Sequence, residues 1–134
     1  MVINGNTVDN AGANITVSGA TSTVELSGAT VQGGTLSNSG GGTLETVSTA
    51  ELDGSTEGAL TLSTGSTFTA NDATTTYLLG SIVNDGLIQM NGGNGQNEVV
   101  DILTSVTLTG SGTITLATIP TNGGDAFLEG TARP

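Results

Sequence analysis

The chain is written in short phrases that alternate polar and apolar positions and then break at Gly, Asn, Ser or Asp. Thr16-Val17-Ser18, Thr23-Val24-Glu25, Thr35-Leu36-Ser37, Thr43-Leu44-Glu45, Thr61-Leu62-Ser63, Thr67-Phe68-Thr69, Thr107-Leu108-Thr109 and Thr113-Ile114-Thr115 all follow this form. A two-residue period sends successive side chains to opposite faces of an extended chain, so each phrase predicts a half-buried strand. Strands this short cannot each bury a face alone. Winding the chain so that every circuit covers the previous one solves the problem for all of them together. The alternation therefore predicts an all-β fold, a parallel β-helix or β-solenoid.

Apolar centres near Ile15, Val24, Leu44, Leu60, Leu87 and Val106 open successive stretches. Their spacing of roughly 20 residues is one rung of such a coil, and roughly six rungs fit. At about 4.8 Å per rung the body would be only about 30 Å long. Asn4-Gly5, Asp53-Gly54, Asp85-Gly86, Asn91-Gly92, Asn94-Gly95 and Asn122-Gly123 tolerate positive φ and mark turns. The same pairs could close two-residue hairpins, which makes an antiparallel meander the structural rival. Longer links such as Gly40-Gly41-Gly42 suit corners between parallel strands and favour the coil. The polar run from Asn91 to Asn97 predicts a loop bulging from the stack. Ile119-Pro120 interrupts the alternation, because proline cannot donate a strand hydrogen bond. Residues 1–118 are thus expected to form the solenoid body and 119–134 a C-terminal cap or tail, with Phe127 and Leu128 as its apolar contact. No helical periodicity is visible.

Composition sharpens this picture. With 134 residues, one domain is the natural count, and aromatic residues at 2 % leave no large rings for a thick core. Hydrophobic residues at 34 % and 22 Gly would suggest disorder if scattered, but they sit in alternating register between turns. The net charge of -11, with Arg133 as the single basic side chain, cannot neutralise a row of phosphates. Nucleic acid and anionic membrane surfaces are therefore poor partners, and the acids keep a β-rich surface wetted; membrane insertion is not expected either. No stretch is long and apolar enough to span a bilayer. Met1-Val2-Ile3-Asn4 carries no basic segment followed by an apolar run, so any export address is expected on a longer precursor.

The absence of His and Cys removes imidazole-assisted nucleophiles, thiolates and nitrogen or sulfur cages for zinc. Carboxylate pairs could cleave sugars, which brings Asp72, Asp85 and Asp101 into view. No inner Arg or Lys grips an acidic polysaccharide and no aromatic subsite accompanies these acids. The reading is that the chain is not an enzyme and needs no cofactor, with calcium as the one candidate. That candidate rests on Gly92-Gly93-Asn94-Gly95-Gln96-Asn97-Glu98-Val99-Val100, which resembles the nonapeptide of calcium-binding RTX repeats. The chain departs from that family at Asn97, where the repeat has Asp, and Asp101-Ile102-Leu103 does not begin a second copy. Asn97, Glu98 and Asp101 are the metal-ligand candidates on this basis. The Thr-apolar-Thr phrases raise ice binding as a further alternative, although their interval is not constant and Thr simply favours strand surfaces.

Three longer stretches carry a broader resemblance: Gly28-Ala29-Thr30-Val31-Gln32-Gly33-Gly34-Thr35-Leu36, Gly80-Ser81-Ile82-Val83-Asn84-Asp85-Gly86-Leu87-Ile88 and Val106-Thr107-Leu108-Thr109-Gly110-Ser111-Gly112-Thr113-Ile114-Thr115-Leu116. They resemble the β-strand repeats of autotransporter passengers and filamentous-haemagglutinin-like bacterial adhesins. The resemblance implies a right-handed parallel β-helix in a secreted or cell-surface bacterial protein, acting as a stalk or adhesive surface for a cell-surface or glycan ligand. Self-association end to end follows as an expectation from unpaired terminal rungs, with Val2 and Ile3 at one end and Phe127 and Leu128 at the other.

Overall fold

The computed structural model describes residues 1–103, 105–119 and 122–130, and the account below concerns these. Every regular element among them is a strand. The strands follow one another around three faces. The first circuit is β1 (Val2–Asn4), β2 (Thr7–Asp9) and β3 (Asn14–Ser18); the second is β4 (Thr23–Ser27), β5 (Ala29–Gln32) and β6 (Gly34–Ser39). The third is β7 (Thr43–Thr46), β8 (Thr49–Gly54) and β9 (Leu60–Leu62); the fourth is β10 (Thr67–Ala70) and the long β11 (Thr75–Asn84), which runs along two faces. The fifth is β12 (Leu87–Gly93), β13 (Glu98–Ile102) and β14 (Thr107–Thr109), and a sixth begins with β15 (Thr113–Ile119) and β16 (Ala126–Gly130).

Each strand hydrogen-bonds to its counterpart one circuit away, and every ladder is parallel. The first face is a six-stranded sheet in the order β1-β4-β7-β10-β12-β15. The chain is therefore a β-solenoid of about five turns, close to the expected number of rungs. Among the described residues the antiparallel pairing that a meander requires is confined to one isolated bridge, between Gly93 and Gln96.

Alternation sets the core. Inward positions align in columns, so that Val24, Leu44, Phe68, Ile88 and Ile114 stack down the first face beside Leu26, Thr46, Ala70, Met90 and Leu116. On the second face Ala29, Ala50, Thr76, Val100 and Leu128 form one column and Val31, Leu52, Leu78 and Ile102 another. Each aliphatic side chain so covered contributes roughly 1.5–3 kcal/mol. The filling is slender, and Phe68 is the largest side chain fully buried in it.

Outside the corner around Glu98 and Asp72, the buried polar side-chain atoms among the described residues are paired. Thr46 and Thr76 share a buried hydroxyl hydrogen bond of 3.0 Å across two faces. At the corners, Asn10 Nδ2 donates to the carbonyls of Gly33 and Thr35, Asn38 Nδ2 to those of Gly42 and Thr67, and Asn84 Nδ2 to that of Thr113. These amides satisfy backbone groups that the corner removes from the ladders.

Two glycines permit the corner inside β11. Gly80 has φ of 64° and pairs with Gly54 in the rung beneath. A side chain on Gly54 would overlap the backbone of Ser81, and one on Gly80 would overlap the backbone of Gly54 and Ser55.

One sequence expectation meets a different backbone. The polar run 91–97 is mostly structured, because β12 continues through Gly93 paired with β15, and only Asn94 and Gly95 project between the bridged Gly93 and Gln96. Small and glycine positions pack a strand against a strand as readily as they form a loop. Within the segment expected to cap the coil, Ala126–Gly130 pairs in parallel with β13 and so extends the second face. Pro120 and residues 131–134, including Arg133, lie outside the described residues.

Candidate functional site

Two regions depart from the fully satisfied interior. The first is the pair of terminal rungs. At the amino-terminal end Ile3, Val8 and Ile15 occupy inner columns beneath Leu26, Val31 and Leu36, but they are only half-buried, because no rung covers them among the described residues. Met1 and Val2 are exposed beside them. An open groove of about 570 Å³ lies here, with Met1, Val17 and Val24 among its lining residues. At the other end Leu108, Leu116 and Leu128 continue inner columns yet remain exposed, at 39 %, 49 % and 37 %. Phe127 is exposed too, on the outward side of β16 opposite Val99. The expected assembly residues Val2, Ile3, Phe127 and Leu128 thus all belong to terminal rungs, with Ile3 and Leu128 in inner columns and Val2 and Phe127 in outer ones.

The second region is a corner between the fourth and fifth rungs. Glu98 opens β13 with its side chain turned inward and has no exposed surface. Thr74, just before β11, donates from Oγ1 to Glu98 Oε2 at 2.7 Å. The same hydroxyl lies 2.7 Å from the carbonyl oxygen of Asn71. A hydroxyl has one proton, and both neighbours are acceptors when Glu98 is ionised. Glu98 Oε1 and Asp72 Oδ1 are buried, and among the described residues neither has a hydrogen-bond partner. Burial pushes the Glu98 carboxyl up to about 7, with the Asp72 charge adding to the rise and the Thr74 hydrogen bond opposing it.

The candidate ligands Asn97, Glu98 and Asp101 do not converge. Asn97 Oδ1 accepts from the Asp125 backbone N–H at 3.0 Å, and Asp101 stands in the outward column between Tyr77 and Glu129. Residues three apart on a strand face opposite ways, which separates Glu98 from Asp101. Among the described residues no three His, Cys, Asp or Glu side chains gather at a point. Glu98 instead meets Thr74 of the preceding circuit, and the Asp72 charge two residues before that threonine acts on it. Only the rung offset, 24 residues from Thr74 to Glu98, links them, and that offset is invisible without the coil's register.

A third carboxylate shows the contrasting, satisfied case. Asp53, at the end of β8, accepts hydrogen bonds from the backbone N–H groups and hydroxyls of Ser55 and Thr56 and from Gln32 Nε2. Burial would raise its pKa, but these donors outweigh burial and hold it down at about 2. It pins the loop between β8 and β9.

On the first face the outward hydroxyl rows are interrupted. Thr67 and Thr69 lie against Leu87 and Gln89, which in turn lie against Thr113 and Thr115, so an apolar and an amide side chain interrupt the threonine rows of the first face. Glu25 and Glu45 are direct neighbours on the same face, and Asn71 Nδ2 donates to Glu45 Oε2 at 2.7 Å. Among the described residues no helix is long and apolar enough to cross a membrane. No protein family, curated protein or solved structure matches the chain.

Proposed function

We propose that the chain is a structural and adhesive β-solenoid module of a secreted or cell-surface bacterial protein, able to stack end to end into a fibre. One observation carries this reading: inner columns that are fully buried at mid-coil are open at both ends, where parallel strand edges also lack a partner among the described residues. An open rung presents N–H and C=O groups in register with an apolar strip, which is a template for another rung. Stacking turns the short body into a stiff rod, and its Ser, Thr, Asn and acidic surface offers weak, repeated contacts to a cell-surface or glycan ligand. The resemblance of the repeats to autotransporter and haemagglutinin-like adhesins supports the surface location.

Sedimentation velocity over a range of concentrations tests the assembly. The expected result is a distribution that shifts to larger species with concentration and with added salt, since screening weakens repulsion between chains of net charge -11. Leu116→Glu combined with Leu128→Glu is expected to hold the protein monomeric. A native chain that stays monomeric at the highest concentration would overturn the stacking.

A further inference from the structure

We propose that Asp72 and Glu98, with Thr74 between them, form a binding site for a hard divalent cation of the calcium class at the corner joining the fourth and fifth rungs. This inference does not rest on the assembly proposed above, and it shares only Glu98 with the ligand set expected from the nonapeptide.

The site is short of positive charge. Glu98 Oε1 and Asp72 Oδ1 are both buried without partners, and Thr74 Oγ1 has one proton for two acceptors at 2.7 Å. A carboxylate oxygen left dry and unpaired is strongly disfavoured unless a proton or a cation compensates it. No protein cation relieves the deficit among the described residues: they contain no Lys, Arg or His, and the amino terminus donates to the Thr23 carbonyl at 2.6 Å at the far end of the coil.

The chemistry of the corner selects the ion. Its donors are all oxygen: two carboxylates, a hydroxyl and the Asn71 carbonyl. Hard cations prefer such sets, and calcium accepts six to eight oxygens in a flexible arrangement, whereas magnesium retains most of its water. A desolvated corner therefore suits calcium better. Asp72 is only half-buried and Ala73 beside it is exposed, so water can complete the coordination and the ion has a path from solvent. A proton on Glu98 is the competing occupant, and a cation would displace it.

Calorimetric titration of the full chain with CaCl2 at neutral pH, after chelator treatment, decides between them. The expected result is saturable uptake of one ion per chain, with a higher melting temperature in its presence. Glu98→Gln and Asp72→Asn, each checked for native circular dichroism, are expected to weaken binding at least about tenfold. Glu57→Gln, an exposed acid of the loop between β8 and β9, is expected to leave it intact. Absence of uptake by the native chain would mean that a proton alone neutralises the pair and would overturn the proposal. Uptake that survives both carboxamide variants would overturn it too, since the ion would then be held by the acidic surface elsewhere.

Discussion

Leu26 and Leu116 stand in one column of the first face, one on its second strand and one on its last. Leu26 has no exposed surface and Leu116 has 49 %. The residue type, the strand pattern and the inward direction are the same. What differs is the rung above. In a coiled stack a side chain is buried by its neighbour's circuit rather than by its own, so stability accumulates through contacts between adjacent rungs and thins out at the ends.

The largest expected effect breaks the middle. Phe68 fills its column between Leu44 and Ile88, and Phe68→Ala should lower unfolding free energy by about 3–5 kcal/mol. Denaturant titration checks this, and a loss below about 1 kcal/mol would mean that neighbouring rungs collapse into the space. Acid provides the next effect. Asp53 titrates near 2 in the fold against 3.8 in the unfolded chain, so the stability it adds is present above pH 3.8 and is lost as pH falls through 2. The shift corresponds to about 2 kcal/mol, and Asp53→Ala should abolish its share of the pH dependence in that window. Glu98 does not confuse the measurement, because its raised pKa leaves it protonated in both states there. The smallest effect is expected at the end of the coil, where Leu116→Ala should cost about 1 kcal/mol or less in dilute solution. If chains stack, that cost should grow with protein concentration, which links the stability measurement to the assembly.

Much of the architecture was legible from local pattern. Thr43-Leu44-Glu45 and Thr67-Phe68-Thr69 announce strands with one buried face, and both are strands with Leu44 and Phe68 buried. The candidate chemistry was less legible. Glu98 stood out through a loop motif, but its burial and its hydrogen bond with Thr74 come from a circuit of chain that the motif does not contain. The corner amides Asn10, Asn38 and Asn84 read as ordinary turn residues, since all their acceptors but Gly42 lie 23 to 29 positions away. The corner in β11 was equally hidden: Gly80 matters because Gly54 lies against it.

The sequence by itself determined where strands lie, which side chains turn inward and how thin the core must be, because a two-residue alternation and turn-forming residues act within a few positions. Only the tertiary structure decided that the neighbours are parallel and one circuit apart, which columns end uncovered, and which carboxylate oxygens are buried without a partner. Those outcomes depend on hydrogen bonds and packing between segments 20 or more residues apart, and the same local alternation would serve a hairpin as well as a coil.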